Sequence, residues 1–343
     1  MNDADDRIKV IEEEIRNTHY NKATQKHVGL LKAKMARIKK EKERSGKSSG
    51  GDKGIRKGGD ATCAICGSPS VGKSALFNAL TNAESKVGSY DFTTLKSKEG
   101  MILHKGAHIQ ILDTPGLIKG ASSGRGMGRE ILSTLRVSDL LIVLMDPRTV
   151  DRKKNLIDEL GKSGIRLNKT KPQIIVKKSD RGGIEVSGFR DEEFLKEIAR
   201  ASGLINAMIT VGRSVSVEDV IDFFTGNISY TKAIFVLNKA EKNSIHKGFD
   251  LCISVKESKN LNALKDMIFG RLELIRVYTD RDEPMILRRG STVRTLATKL
   301  HRDFEAEFKR ARVWGDSARY AGQIVGLDHT LRDGDTLRIE LRK

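Results

Sequence analysis

Short apolar runs alternate with amphipathic segments from residue 60 onward, with lengths typical of strands and helices. The runs that predict strands are Ala61 to Cys66, Met101 to His104, Ala107 to Asp113, Asp139 to Asp146, Ala233 to Lys239 and Phe249 to Val255. Nearly continuous apolar runs are typical of parallel strands that helices cover on both faces. The pattern therefore predicts an α/β fold with a doubly wound sheet.

The first 44 residues have a different pattern, with apolar positions at helical spacing. The two apolar stripes are Ile8, Ile11 and Ile15, then Val28, Leu31, Met35 and Ile38. They predict a hairpin of two helices joined near Thr18 to Asn21. Ser45 to Gly59 is rich in Gly, Ser and Lys without an apolar period, so we expect a flexible linker.

The stretch between Asp146 and Ala233 is too long for one crossover and predicts an inserted α+β subdomain. Its alternating segments Gln173 to Lys178 and Gly182 to Ser187 predict a β-hairpin. The remaining predicted elements are a helix at Asp191 to Ala201, a strand at Ala207 to Val211 and a second helix. Ser216 and Asp219 have the spacing of a capping box at the start of this second helix.

The C-terminal stretch predicts one long helix across a small mixed sheet. The helical stripe comprises Val293, Leu296, Leu300, Phe304 and Phe308. Strand-like segments flank it at Pro284 to Leu287 and at the alternating positions Leu337, Ile339 and Leu341.

The chain has 343 residues, of which 38% are hydrophobic and 31% are charged, so two or three domains are expected. No apolar stretch is long enough to cross a membrane and no signal peptide is evident, so we expect a cytoplasmic protein without a membrane partner. Cys63 and Cys66 have C-x-x-C spacing, but alternation along a strand favours core packing over a metal or redox site.

Positive charge is the strongest compositional signal. The formal net charge is +18, which favours a polyanionic partner such as nucleic acid. Between Lys22 and Lys47 there are ten Lys or Arg residues and two acids. The second predicted helix therefore presents either a phosphate-contacting surface or an ordinary solvated face.

A phosphate-binding loop follows the first predicted strand. Residues 67 to 74 match G-x-x-x-x-G-K-S without a mismatch, and an apolar helix pattern follows. In such a loop, Lys73 reaches the β- and γ-phosphates and the Ser74 hydroxyl ligates Mg²⁺. The predicted binding residues are Gly67, Ser68, Pro69, Ser70, Val71, Gly72, Lys73, Ser74 and Ala75.

A second motif, Asp113-Thr-Pro-Gly116, ends the third predicted strand. An acid at this edge of the sheet is suited to hold Mg²⁺ through water, and the Gly116 N–H is suited to meet a γ-phosphate. Gly120 to Gly128 carries four glycines and is predicted to be a mobile loop.

These motifs together resemble the developmentally regulated GTP-binding proteins, a branch of the Obg-type GTPases. The strings that match the family are, in chain order, Asn21-Lys-Ala-Thr, Gly29-Leu-Leu-Lys-Ala-Lys, Pro69-Ser-Val-Gly-Lys-Ser, Phe92-Thr-Thr-Leu, Gly124-Arg-Gly-Met-Gly-Arg-Glu, Gly164-Ile-Arg-Leu-Asn, Val313-Trp-Gly and Gly326-Leu-Asp-His-Thr-Leu. The resemblance spans nearly the whole chain.

The resemblance implies five segments. These are a basic helical hairpin in 1–48, a linker in 49–60, a GTPase core in 61–162 and 231–275, a ribosomal-protein-like α+β subdomain in 163–230 and a β-grasp domain of the TGS type in 276–343. It also implies GTP, GDP and Mg²⁺ as ligands, association with ribosomes or RNA, and a regulatory partner protein. DNA is not expected as a partner, and a requirement for K⁺ stays open.

The resemblance also assigns roles to residues outside the phosphate loop. Thr94, or alternatively Thr93, would close onto Mg²⁺ and the γ-phosphate, and Lys73, Thr94 and Gly116 would act in catalysis. Metal ligation would fall to Ser74, Thr94 and Asp113. The guanine base would meet Asn238, Lys239, Glu241, Ser254, Val255 and Lys256.

Glu241 departs from the family pattern, which has Asp at the end of the base-reading motif. The longer side chain either shifts the loop or lowers guanine selectivity. An ATPase is supported only by this residue and is disfavoured by Asn238 and Lys239. The alternative to a GTPase switch is an RNA- or ribosome-binding scaffold that holds nucleotide structurally with negligible hydrolysis.

Overall fold

The computed structural model describes residues 3–45, 58–81, 98–114, 127–226, 228–240, 247–280 and 283–342. The chain forms two compact units. The core unit comprises residues 55–163 and 231–343, and the insert unit comprises residues 1–54 and 164–230. Within the described ranges, no helix is both long enough and apolar enough to span a membrane.

The elements that lie wholly within the core unit are α3 (Lys73–Thr81), α4 (Met127–Val137), α5 (Lys153–Lys162), α8 (Leu261–Arg271), α9 (Val293–Leu300), β1 (Ala61–Cys66), β2 (Lys98–His104), β3 (Ala107–Asp113), β4 (Leu140–Met145), β10 (Leu251–Cys252), β11 (Leu274–Tyr278), β12 (Met285–Arg288), β13 (Phe308–Trp314), β14 (Gln323–Val325) and β15 (Asp335–Leu341). β9 (Ser229–Leu237) begins at the end of the insert unit.

The first sheet of the core unit runs in the order β10-β9-β4-β1-β3-β2. All neighbours in this order are parallel except β2, which is antiparallel to β3. Leu76 of α3 and Leu264 of α8 belong to the apolar cluster on one face. Leu141 and Val143 of β4 are equally buried at the alternate positions. Both faces are therefore covered, which confirms the predicted doubly wound sheet.

The second sheet of the core unit runs in the order β12-β11-β15-β13-β14. β11 and β15 are parallel, whereas the other pairs are antiparallel. Val293 and Leu296 of α9 pack in the same apolar cluster as Val313 and Leu337 of the sheet. This arrangement confirms a helix across a small mixed sheet.

The predicted C-terminal helix is longer than the observed one, because Phe304 and Phe308 do not belong to it. α9 ends at Leu300 because His301 has an extended backbone, with φ −159° and ψ 145°. Phe304 ends a short 3-10 turn, and Phe308 is buried as the first residue of β13, opposite Leu341. The helical spacing of the two phenylalanines is therefore a coincidence of the pattern.

The insert unit contains α1 (Asp3–Asn17), α2 (Gln25–Ser45), α6 (Glu192–Ala201), α7 (Val217–Thr225), β5 (Ile165–Leu167), β6 (Ile174–Lys178), β7 (Ile184–Ser187) and β8 (Ala207–Val211). α1 and α2 form the predicted hairpin, with ion pairs Lys42–Asp5 and Lys39–Glu12 along it. Ser216 and Asp219 form the predicted capping box on α7.

The N-terminal hairpin shares a core with the inserted subdomain. Ala33 of α2 lies in one apolar cluster with residues of α6, α7 and the sheet β6-β8-β7, including Phe194, Ile209 and Ile221. Lys26 of α2 also pairs with Asp191, the N-cap of α6. Segments that are more than a hundred residues apart along the chain therefore build one unit.

The predicted hairpin of β6 and β7 is wrong, because β8 lies between the two strands. β8 is antiparallel to β6 and parallel to β7. Asn206, just before β8, binds both sides of the connecting loop: its side chain accepts from Gly183 N and donates to the Asp180 carbonyl. Alternating polarity assigns the faces of a strand but not its neighbour.

Two predicted segments have little structural description. The predicted linker from Ser45 to Gly59 and the glycine-rich loop from Gly120 to Gly128 lie largely outside the described residues.

Cys63 and Cys66 are buried free thiols in β1, and burial raises the pKa of Cys66 to about 12. Their burial agrees with the predicted packing role.

Candidate nucleotide-binding site

The phosphate loop connects the carboxyl end of β1 to α3. Gly67 and Gly72 have φ angles of +151° and +99°, and Ser70 has a φ angle of +61°. A Cβ atom at Gly72 would lie 2.6 Å from Asn238 Nδ2, and one at Gly67 would overlap the Leu144 carbonyl. Turns of this kind, at a helix N-terminus, offer backbone N–H groups to an anion.

Lys73 supplies the positive charge of the loop. Its side chain is buried, and Nζ donates to the carbonyl oxygens of Ser68 at 2.9 Å and Gly67 at 3.3 Å. Burial lowers the pKa of Lys73, while the negative charge of Asp113 acts in the opposite direction. An anionic ligand would compensate the cost of burying this ammonium group.

Ser74 and Asp113 meet at the edge of the sheet. The Ser74 hydroxyl, in the first turn of α3, donates to Asp113 Oδ2 at 2.7 Å. Asp113 ends β3 and pairs in register with Ile65 of β1. Thr114 fixes this strand end because its hydroxyl donates to the Ile65 carbonyl at 2.7 Å. Two oxygen ligands for a hard cation therefore converge beside the phosphate loop.

The described residues contain no group of three or more His, Cys, Asp or Glu side chains that could hold a metal ion. A Mg²⁺ ion at Ser74 and Asp113 would accordingly draw its other oxygens from phosphates and water. That division of ligands is typical of Mg²⁺ in nucleotide sites.

Asn238 connects the phosphate loop to the segment after β10. Its side chain is buried, Nδ2 donates to the Val71 carbonyl at 3.0 Å, and Oδ1 accepts from Val255 N at 3.2 Å. Ser254 exchanges backbone hydrogen bonds with Lys259, which closes a turn around residues 254–259. The sequence-predicted residues 238 and 254–256 are thus neighbours.

Lys239 spans the phosphate loop and the end of β4. Its Nζ donates to the Ser70 carbonyl at 2.9 Å and to Asp146 Oδ2 at 3.0 Å. Thr149 donates to the other carboxylate oxygen at 3.0 Å. Burial alone would raise the pKa of Asp146, but the bonds from Lys239 and Thr149 outweigh it and hold that pKa below its usual range.

Sequence reasoning missed Asp146 and Thr149 as members of this site. The available signal was the position of Asp146, an acid directly after a fully buried parallel strand. Four predicted site residues, Thr93, Thr94, Gly116 and Glu241, lie outside the described residues.

Three consecutive ranges of the chain match protein-family models. Residues 62–178 match a 50S ribosome-binding GTPase, residues 181–274 match the C-terminal region of that GTPase domain, and residues 275–340 match the TGS domain. The boundary at 274/275 lies at the first residue of β11.

Several known proteins are similar over nearly the full chain. An uncharacterised GTP-binding protein of Methanocaldococcus jannaschii is 43% identical, over 99% of this chain and 93% of its own. Developmentally regulated GTP-binding protein 2 of Homo sapiens is 36% identical, over 97% of this chain and 98% of its own. Among solved structures, the Schizosaccharomyces pombe YchF GTPase is 17% identical, over 83% of this chain and 99% of that chain, with a TM-score of 0.45.

Proposed function

The chain belongs to the developmentally regulated GTP-binding proteins, the family that its motifs predicted, and we propose that it is a GTP-hydrolysing switch that associates with ribosomes or RNA. In the proposed reaction, water attacks the γ-phosphorus of GTP. The bond from that phosphorus to the β–γ bridging oxygen breaks, and GDP, phosphate and a proton leave.

The observation that carries this proposal is the buried Lys73 inside a loop that leaves no room for side chains at Gly67 and Gly72. In the part of the chain that the structure describes, Lys73 Nζ donates to loop carbonyl oxygens and to no carboxylate, so its ammonium group is available to the β- and γ-phosphates. The contact between Ser74 and Asp113 fits a Mg²⁺ site. When bound, Mg²⁺ neutralises part of the phosphate charge.

The base would lie near Asn238 and Lys239. Among the described residues, the Asn238 side chain makes the two bonds given above, which leaves one N–H and one oxygen lone pair for a base. Asp146 and the Ser70 carbonyl hold the Lys239 ammonium group at the phosphate loop. In the proposed complex, the aliphatic part of this side chain would pack on the guanine ring. Glu241 is the proposed acceptor for the guanine N–H donors.

Switching is assigned to Thr94 and Gly116. Both would contact the γ-phosphate or Mg²⁺ in the GTP state and release it after hydrolysis. Leu117 follows Gly116 where many signalling GTPases have a water-positioning Gln. We therefore expect slow hydrolysis by the isolated chain.

Two observations support a ribosomal or RNA partner. The net charge of +18 favours a polyanion, and the family model that matches residues 62–178 is that of a 50S ribosome-binding GTPase. Action on translating ribosomes would also be consistent with a cytoplasmic location.

The test uses the purified full chain with radiolabelled GTP, with and without ribosomes, in K⁺ and in Na⁺ buffer. We expect slow turnover alone and a clear acceleration by ribosomes. The Lys73→Ala variant controls for contaminating GTPases. Competition by ATP and XTP in the same preparation measures base selectivity. Tight GTP binding with negligible hydrolysis under all of these conditions would contradict the switch and favour the RNA- or ribosome-binding scaffold instead.

A further inference from the structure

The C-terminal sheet has one buried face and one partly open face. Ala311, Val313 and Leu337 point into the apolar cluster under α9, so the residues between them point to the opposite face. At the β11 and β12 end, Leu274 and Ile286 on that opposite face are buried in the core of the first sheet. We call the remaining part the open sheet face, formed by Arg310, Arg312, Trp314, Ile324, Arg338 and Glu340.

Two aromatic residues stand in one row across these strands. Trp314 lies opposite Thr336, and Thr336 lies beside Tyr278 of β11. Since neighbouring strands are about 4.8 Å apart, the Cα atoms of Trp314 and Tyr278 are about 10 Å apart, and both side chains lie on the face opposite the apolar cluster. The Trp314 indole is 36% exposed and rests on Gly322, where an added Cβ would lie 3.3 Å from Nε1.

Positive charge fills the adjacent row. Arg312 lies directly opposite Arg338, although like charges in this position destabilise a sheet. Glu340 pairs with Arg310 at 2.6 Å and with Arg312 at 3.3 Å. In the part of the chain that the structure describes, no carboxylate pairs with Arg338. A phosphate bound beside Arg338 would supply to this arginine the negative charge that Glu340 supplies to Arg310 and Arg312.

We propose that the open sheet face binds unpaired RNA, with a base stacked on Trp314 and the phosphate backbone following Arg312 and Arg338. The inference rests on the proposed RNA or ribosome association and assigns that association to a surface. An exposed indole beside arginines on a sheet is suited to bind single strands, because every base has a π-face that can stack on it.

The surface favours unpaired RNA over a duplex for a geometric reason. In a duplex the bases are stacked inside the helix and offer no free π-face to the Trp314 ring, whereas an unpaired base does. An acidic protein segment would satisfy the arginines but would leave the exposed indole and Ile324 without a matching partner.

The chain has one tryptophan, so its fluorescence reports on this face alone. The experiment titrates the full chain with oligoadenylate, with the DNA oligomer of the same sequence and with a blunt RNA duplex of equal length. We expect saturable quenching by the single-stranded RNA, weaker quenching by the DNA and none by the duplex. Quenching by the duplex equal to that by single strands would overturn the proposal.

Two variants separate the aromatic from the ionic contribution. Arg338→Gln keeps the fluorophore, and it should weaken RNA binding several-fold and reduce the slope of log affinity against log salt by about 0.7. Trp314→Ala, followed by the anisotropy of labelled RNA, should weaken binding about tenfold, and Trp314→Phe should restore most of it. Arg302→Gln, an equal charge change on an exposed residue outside the open sheet face, is the matched control.

GTP binding is measured on the same proteins. Unchanged GTP affinity with weakened RNA binding supports the assignment. Full RNA affinity in both Arg338→Gln and Trp314→Ala would refute the open sheet face while the GTPase function stands. Loss of GTP binding by the wild type with intact quenching would instead refute the proposed nucleotide site. Quenching by polyglutamate but by no RNA would identify a protein partner and overturn the inference.

Discussion

Lys239 Nζ donates to Asp146 Oδ2 over 3.0 Å and thereby joins the segment after β9 to the end of β4. The same ammonium group donates to the Ser70 carbonyl of the phosphate loop. Thr149 holds the second oxygen of the carboxylate. The site that is proposed to read the base is therefore positioned by an acid that belongs to neither the phosphate loop nor the base-reading segment.

The first prediction concerns this acid. Asp146→Asn retains a hydrogen-bond acceptor but removes the charge that holds Lys239, so GTP affinity should fall about tenfold, which corresponds to the low end for a charged hydrogen bond. Equilibrium binding of a fluorescent GTP analogue measures the change. Asp151→Asn, the same substitution at an exposed position five residues later, should leave affinity unchanged.

The same ion pair has a defined pH dependence. Because the folded-state pKa of Asp146 is depressed, its contribution to stability is present above the unfolded value of about 3.9 and is lost as the pH falls through the folded value. The difference in melting temperature between wild type and Asp146→Asn should be constant near neutral pH and shrink below about pH 4. A difference that grows on acidification would contradict the assignment.

The second prediction concerns the phosphates. Lys73→Ala removes the buried cation of the loop. Because charge-assisted hydrogen bonds to phosphate are strong, nucleotide affinity should fall at least about a hundredfold, to no detectable binding. Asp113→Ala should weaken only Mg²⁺-dependent binding and hydrolysis. Asn78→Ala, on an exposed position of the same helix, controls for effects on α3. Retained Mg²⁺-dependent GTP binding by Lys73→Ala would rule out this loop.

The third prediction concerns Glu241, which departs from the family Asp. If the longer carboxylate reads guanine poorly, Glu241→Asp should tighten GTP binding relative to ATP, whereas Glu241→Ala should lose most of the remaining preference. Competition of GTP, ATP and XTP for one labelled nucleotide measures this ratio. Equal ratios in all three proteins would show that another residue reads the base.

The fourth prediction concerns the basic hairpin, where ion pairs divide the cations into two classes. Arg37 pairs with Glu41 and Lys39 pairs with Glu12. Within the described residues, no ion pair is formed by Lys34 or Lys40. If the hairpin binds RNA phosphates, Lys34→Gln with Lys40→Gln should lower the salt slope of ribosome binding by about 1.4 to 1.8.

The matched variant is Arg37→Gln with Lys39→Gln, which should change the slope less because carboxylates already neutralise these cations. Ribosome co-sedimentation over a salt series compares the two proteins. Identical slopes in both proteins and the wild type would leave the hairpin as a solvated surface.

The fifth prediction concerns the shared core of the insert unit. A Cβ atom on Gly29 of α2 would lie 2.6 Å from Ile221 Cγ1 of α7, so Gly29→Ala should destabilise the protein by about 1–3 kcal/mol. Gly270→Ala is the control: nothing lies within 4 Å of the added methyl group, and helix propensity should make it stabilising by about 0.5–1 kcal/mol.

A double-mutant cycle identifies the cause. Ile221→Ala alone should cost about 2–5 kcal/mol, but combined with Gly29→Ala it should cost less than the sum, because the methyl group then fills part of the space. Strict additivity in thermal or urea unfolding would mean that α2 and α7 do not pack as described.

Local chemistry along the chain determined several parts of this protein. The phosphate loop needs only eight consecutive residues, so its type and its place after β1 follow from the sequence. The fully buried runs of β1 and β4 and the capping box of Ser216 and Asp219 are also contiguous signals, and all were predicted correctly. Each depends on backbone geometry or burial within a few residues.

Only the tertiary structure decided which distant elements meet. Periodicity does not record that β8 separates β6 from β7, or that Phe308 leaves the helical stripe to open β13. It likewise does not record that Asp146 meets Lys239, or that Arg312 faces Arg338 across a strand pair. Polarity selects the face of a strand or helix, whereas the neighbour depends on packing among segments far apart in the chain.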